Sequence, residues 1–211
     1  MATVADISVK PFKPGSSGWT VEDLEAPEVW SAWESGRYEL VEGVITEMPP
    51  AVFDGSSAVV KLIRLVLDQV ENNGLSVEPA SECDIVLAPT RIVRADGIIL
   101  LTNELRRSRQ LSRAAGAVVN ARQKILVPPS LVIESVSLGH ESHDRQLKRL
   151  WYAEFGVPNY WILDALRKTV DFLRLENGAY VEDARGGTTG SVRPTAFGGV
   201  EVEMSKVWPT D

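Results

Sequence analysis

The sequence predicts one α/β or α+β domain organised around a mixed central sheet. Helix-like and strand-like segments alternate in an order that joins some strands by turns and others by helices. The 211 residues are enough for one full-sized core. No internal repeat or low-complexity linker divides them.

Residues 1–18 are rich in Pro, Gly and Ser and are expected to form a loosely held, flexible arm, which leaves 19–211 as the domain. In "TVEDLEAPEVWSAWESG", Thr20 stands three residues before Asp23, a capping-box-like opening that predicts a helix. "RYELVEGVITEM" switches to period two around Gly43, which predicts a hairpin or a bent pair of strands. "SSAVVKLIRLVLDQVENNG" is the clearest helix: Ala58, Val59, Leu62, Ile63, Val66 and Val70 share a face, and Asn73-Gly74 closes it. Three shorter strand-like pieces follow, "LSVEPAS", "CDIVLAP" and "RIVRADGIILL". After a basic segment come the strand "SLVIESVS" and a second helix from about Glu141 to Phe155. "NYWILD" and "TVDFLRLE" are strands separated by a turn at Ala165–Lys168, and the tail reads as turns and edge strands. Trp30, Trp33, Trp151, Trp161 and Trp208 are most simply core residues.

Composition narrows the function classes. Apolar residues make up 44% of the chain and charged residues 24%, ordinary values for a soluble globular protein. No apolar run approaches the roughly 20 residues that span a bilayer, and the first twenty residues lack a basic and then apolar leader pattern. Cys83 is the only cysteine, which excludes an intrachain disulfide and a multi-cysteine zinc site. A cytoplasmic protein with no membrane partner is expected. The net charge of −7 speaks against a passive nucleic-acid binder. Yet residues 105–124 carry Arg106, Arg107, Arg109, Arg113, Arg122 and Lys124 with no acid among them. That segment is either a local basic contact surface or a solvated connector.

Two acids interrupt apolar strands. Glu134 follows Leu131, Val132 and Ile133, and Asp96 breaks "RIVRADGIIL" just before Gly97, which leaves room for close approach. Burying an unpaired carboxylate costs several kcal/mol in order of magnitude. Each acid is therefore paired, exposed or a ligand, and carboxylates converging at strands are a common way to hold Mg²⁺. On the following helix, Asp144, Lys148 and Tyr152 fall on one stripe beside an apolar face of Leu147, Leu150, Trp151 and Phe155. Lys148 can pair on the surface with Asp144, worth about 0.2–0.5 kcal/mol, or bury its stem and send its ammonium inward. Two carboxylates and a lysine are the parts needed for metal-assisted phosphodiester hydrolysis.

An ordered series of segments then resembles a known family. "GRYELVEGVI", a long helix, "VRADGIIL", "PPSLVIESVS", "DRQLKRLWYAEFGVPNYWILD" and "VDFLRL" run in this order between about Trp19 and Leu175. This resembles the Uma family of restriction endonucleases, a branch of the PD-(D/E)xK nuclease superfamily. The resemblance implies a restriction-endonuclease-like core, a central mixed sheet flanked by helices, with extra strands at the N- and C-terminal ends. It implies that Asp96 and Glu134 bind Mg²⁺, or Mn²⁺, whose oxygen preferences are alike. It matches Lys148, moved to the helix, to the motif lysine; the position two residues after the glutamate is Val136. Glu39 matches the early glutamate as an outer ligand, with Glu42 as a nearby alternative. The implied substrate is DNA, with Arg106, Arg107, Arg109 and Arg113 on its phosphates, and the implied assembly, by analogy, a homodimer.

The chain also departs from the family pattern. Ala95-Asp96 replaces Pro-Asp, and Ser137-Leu138-Gly139 replaces Ser-Pro-Ser. Gly55 or Ser56 stands near the place of a histidine that usually precedes the long helix. The departures motivate a rival reading, a catalytically impaired module that binds DNA or protein. A second rival is an enzyme acting on another phosphorylated substrate. His140 and His143 lack the zinc-peptidase spacing and read more simply as a solvated helix start.

Overall fold

The structure, a computed structural model, describes residues 10–114, 124–136 and 143–209. The first predicted helix divides. Thr20 and Asp23 do form the reciprocal cap: the Thr20 amide donates to the Asp23 carboxylate (2.8 Å) and the Asp23 amide to the Thr20 hydroxyl (3.2 Å). A single 3-10 turn, Asp23–Glu25, follows, and the α-helix α1 spans Pro27–Glu34. Pro27 causes the break, because the residue before a proline is driven out of the helical region, and Ala26 sits at ψ 132°. The hairpin is as predicted: β1 (Tyr38–Val41) pairs with β2 (Val44–Glu47) across Glu42 and Gly43. Both turn residues have positive φ, 49° and 77°, the two-residue turn that matches strand twist. Residues 10–18 of the expected arm lie against this hairpin. The Gly15 amide donates to the Ile45 carbonyl, the Ile45 amide to the Ser16 carbonyl, and Phe12 packs edge-on to Trp19, Trp33 and Tyr38.

The helix α2 spans Phe53–Asn72 and buries the predicted face of Ala58, Val59, Leu62, Ile63, Val66 and Val70. It ends in a Schellman motif: Leu75 N–H donates to Val70 C=O and Gly74 N–H to Glu71 C=O, with Gly74 at φ 80°. The two expected strand pieces after it are one strand, β3 (Val77–Ala88), which pairs antiparallel with β4 (Arg91–Leu101). Glu82 stands between the two pieces at φ 50° without breaking the register, since Ser81 pairs with Gly97 and Cys83 with Ala95.

Half of the basic segment is helical: α3 covers Thr102–Ala114, while 115–123, with Arg122, lie outside the described residues. Lys124 departs from a basic surface. It is buried, paired with Glu25 at 2.5 Å and stacked 4.7 Å from the Trp30 ring. β5 (Leu131–Ser135) is followed by a π-helical turn, His143–Lys148, and by α4 (Arg149–Phe155). The strands β6 (Asn159–Asp164), β7 (Thr169–Glu176) and β8 (Ala179–Gly186) complete the sheet, and β9 (Ser191–Val192) pairs with β10 (Val202–Glu203) beside it.

The wide π turn corrects the predicted apolar face of the second helix. Its extra residue per turn shifts the phase, so Trp151 is buried while Leu147 and Leu150 are 44% and 60% exposed. Arg145 pins the turn to the strand ends by pairing with Asp164 (3.1 Å) and Asp171 (2.6 Å). Burial works to raise the Asp164 pKa, but hydrogen bonds from Arg167 and Arg145 win and hold it below the usual carboxylate range.

The strand order is β2-β1-β4-β5-β6-β7-β8, with β3 paired along β4. β5 and β6 are parallel, as a crossover through α4 requires, and the other pairs are antiparallel. Helices cover both faces. Leu131 and Ile133 pack with α2 and the C-terminal Met204, Val207 and Trp208, while Val132 faces Trp151 and Tyr152 of α4. A third cluster joins Trp19, Leu24, Trp30 and Trp33 to Leu40 and Ile45. All five tryptophans read as core are buried. Gly97 sits where α2 crosses the sheet: a Cβ there would lie 2.8 Å from Val59 Cγ1 and 3.0 Å from Ile63 Cδ1. Valine is stiff in a helix. Gly97→Ala is expected to lower unfolding free energy by about 1–3 kcal/mol, read as a shift in urea midpoint; an unshifted midpoint would show that α2 yields freely.

Candidate active site

The site arises where β4 is left partly uncovered. One edge of β4 pairs with β3 along its length. The other edge is shared: β1 meets it at Ile92, through Leu40, and β5 meets it at Gly97–Ile99. Between these contacts, residues 93–96 have no strand partner on that edge among the described residues, and side chains take over. The Arg94 amide donates to Glu39 Oε1 (3.1 Å). On the far side of the gap, Asp96 Oδ2 accepts from the Ser135 amide (2.8 Å). One step beyond the Gly97–Ile133 pair, the antiparallel register brings Asp96 beside Glu134.

Glu134 alternates with Ile133 and so projects to the side of Val132, toward α4. There the ammonium of Lys148, only 2% exposed, lies 3.1 Å from Glu134 Oε1 and 2.9 Å from Glu39 Oε1. The Tyr152 hydroxyl, one helical turn on, donates to Glu134 Oε1 at 2.7 Å. Burial, and then the neighbouring Glu134 carboxylate, push the Tyr152 phenol well above its ordinary pKa, so it remains a donor. Lys148 thus makes an interior bridge between two glutamates, themselves 0% and 2% exposed, while the side chain of Asp144 lies outside the described residues.

A second buried arrangement supports the first. Arg94 grips Asp84 through Nε (2.7 Å) and Nη2 (3.3 Å) and reaches the Gly36 carbonyl through Nη1 (3.1 Å). Trp33 Nε1 donates to the same Asp84 carboxylate (2.8 Å). This ties α1 and the start of β1 to β3 and β4, and so fixes Glu39 opposite Lys148. Burial, with Asp84 adding to it, raises the adjacent Cys83 thiol to about 11, which disfavours the reactive thiolate at neutral pH.

Asp96, Glu134, Ser135 and Lys148 line one cleft of about 120 Å³, together with Arg37, Arg94 and the first turn of α2 at Asp54, Gly55 and Ser56. That volume exceeds the roughly 10–15 Å³ one water needs. Val52 and Leu166 line the same cleft and are 63% and 73% exposed, so its rim is apolar. At Gly55 an added Cβ would come within 2.3 Å of Ser135 Oγ and 3.3 Å of Ser135 Cβ.

Asp96, Glu134, Lys148 and Glu39 are thus brought together. The structure does not bring the arginines with them. Arg106, Arg107, Arg109 and Arg113 are exposed on α3, and none lines the cleft. Glu104 fastens the start of α3 to Ser130, just before the opposite end of β5 from Glu134. Glu42 lies outside the site, on Arg91 at the hairpin turn. Of the two histidines, His140 lies outside the described residues. Tyr152, Arg94 and Arg37 were not singled out as site residues; only Tyr152 left a signal, its spacing of four from Lys148.

Among the described residues no three His, Cys, Asp or Glu form a ready-made metal cage. Two oxygen donors on neighbouring strands nevertheless suit Mg²⁺, which keeps several waters and takes one or two protein carboxylates.

This split-edge mixed sheet with helices on both faces is a nuclease fold. A crystal structure of a putative nuclease belonging to DUF820 from Anabaena variabilis superposes with a TM-score of 0.60 over 81% of this chain and 88% of that one, at 14% identity. A cryo-EM structure of a DrdV–DNA complex matches with a TM-score of only 0.32, over 72% of this chain and 12% of that one, at 14% identity, and carries no weight. No curated protein matches the chain. The Uma2 family, described as "Putative restriction endonuclease", matches residues 22–205, and the chain belongs to it.

The buried bridge has an energetic consequence. Removing one partner of such a group strands the others and typically costs about 3–5 kcal/mol. Lys148→Met is expected to lose that much in chemical denaturation, and Glu39→Gln added to it should restore part of the loss. If the double variant is no better than the single, the glutamates are not held by Lys148.

Proposed function

We propose that the protein is a divalent-metal-dependent endonuclease that hydrolyses DNA phosphodiester bonds. One observation carries the reading most: Asp96 and Glu134 enter one cleft from neighbouring strands, with the Lys148 ammonium on Glu134. Asp96 and Glu134 would hold Mg²⁺ or Mn²⁺, which when bound polarises the scissile phosphate and lowers the pKa of a water. Lys148 orients the attacking water and stabilises charge gathering on the phosphoryl oxygens. Tyr152 fixes the rotation of Glu134. Glu39, fully buried behind Lys148, serves to position the lysine rather than to meet the ion as an outer ligand.

The arginines of α3 are assigned to flanking phosphates, away from the bond that is cut. Replacing Arg106, Arg107 and Arg109 together by alanine should weaken duplex binding and reduce its salt slope by about 3. An unchanged affinity and slope would remove α3 from the interface. A homodimer would let two such clefts act on both strands.

Ion binding measured by calorimetry alongside duplex cleavage tests the central claim. Wild type should bind Mg²⁺ or Mn²⁺ and cut, and Asp96→Asn and Glu134→Gln should lose both. The family resemblance, whose histidine is replaced near Gly55 or Ser56, motivates a second reading, an impaired module that would bind the ion and DNA but cut neither strand. If wild type binds no ion, the metal mechanism is wrong.

A further inference from the structure

Among the described residues three cations line the cleft: Arg37, Arg94 and Lys148. Two are committed. Lys148 bridges Glu39 and Glu134, and Arg94 spends all three guanidinium nitrogens on Asp84 and the Gly36 carbonyl. Arg37 is different. Its Nη1 pairs with Glu82 Oε2 at 2.7 Å, while Nη2 stands 3.9 Å from Asp96 Oδ1, too far for a hydrogen bond. Its Nε is buried and has no hydrogen-bond partner among the described residues. Nε–H and Nη2–H form one edge of the guanidinium, two parallel donors spaced to meet two oxygens of a phosphate.

The backbone around Arg37 holds that edge in place. Arg37 immediately precedes β1, and its carbonyl accepts from the Met48 amide (2.8 Å) at the open end of the hairpin. Glu82, which grips the opposite corner, occupies the left-handed region at φ 50° in the middle of β3, level with Asp96. A non-glycine residue held there is strained, and such strain gathers at functional sites. The cleft wall otherwise presents Asp54, Asp96 and Glu134 to an incoming polyanion. A cation must offset them, and among the described cations of the cleft Arg37 is the one with a buried donor, Nε, that meets no partner.

We infer that Arg37 binds a backbone phosphate of the polynucleotide at the cleft, through its Nε–Nη2 edge, with Glu82 fixing the plane of the guanidinium. The inference rests on the nuclease reading and adds a substrate-binding residue to it.

The test measures binding of a duplex across a salt series in Ca²⁺, with integrity of the duplex checked on a gel, and cleavage separately in Mg²⁺. Arg37→Ala should reduce the salt slope by about 1 and raise KM. Arg37→Lys keeps the charge but not the fork, so it should retain the slope and still lose kcat/KM. Glu82→Gln removes a competing acid and should tighten binding with the slope unchanged. If Arg37→Ala melts and binds like wild type with an unchanged slope and KM, the inference is wrong while the nuclease reading stands. If Arg37→Ala fails to fold, Arg37→Lys and Glu82→Gln decide. Lowered melting temperatures in both, with DNA binding and kcat/KM untouched, would make Arg37 a brace between β1 and β3 and overturn the inference. If wild type neither binds nor cuts DNA, both readings fall together.

Discussion

Three ionisable side chains meet out of water at the centre of this protein: the amine end of Lys148 lies between the carboxyl groups of Glu39 and Glu134. Such a group is tolerated only where geometry and added hydrogen bonds offset desolvation. Here the Arg94 amide serves Glu39 and the Tyr152 hydroxyl serves Glu134. The three charges come from β1, β5 and the π turn, so the group also joins parts of the chain more than a hundred residues apart. Their positions must agree for any one charge to be stable. That requirement explains why the surrounding chain is so firmly tied, with Arg94 clamped to Asp84 and Arg145 to Asp164 and Asp171.

Topology turns this constraint into a site. A strand flanked along its whole length has no room for a polar cluster, because backbone partners occupy both edges. β4 has one edge divided between two shorter strands, and the interval between them is where carboxylates replace the missing backbone bonds. The same interval opens to the first turn of α2, which gives the cleft its wall. Gly97, one residue past Asp96, admits α2 closely enough to form that wall. Local sequence, strand pairing and the chemistry of the cleft are in this way parts of one arrangement.

Much of this was legible from residue patterns. Alternation marked the hairpin at Glu42-Gly43, helical spacing marked the buried face of α2, and two acids in apolar strands marked the site. The spacing from Lys148 to Tyr152 also survives in the structure. Other features needed three dimensions. The break before Pro27 follows from a rule about proline that the capping signal at Thr20 overshadowed. Leu147 and Leu150 lie outside because a π turn shifts the helical phase, and no periodicity of 3.6 can announce a change in its own period. Glu82 separates two strand-like pieces without ending the strand, since pairing to β4 resumes in register beyond it. Lys124 sits in a run of arginines yet is buried, a fate decided by Glu25 and Trp30 far earlier in the chain.

The contact between Gly55 and Ser135 bears on how the cleft wall can be reshaped. A first side-chain atom at residue 55 would lie 2.3 Å from Ser135 Oγ and 3.3 Å from Ser135 Cβ. The hydroxyl can swing aside by rotation about χ1, whereas the Cβ stays where the strand puts it. Ser135 lends its amide to Asp96 through the backbone, and that rotation leaves this bond in place. The wall facing Asp96 can therefore change shape by the turn of one side chain, without moving the strand that carries Glu134.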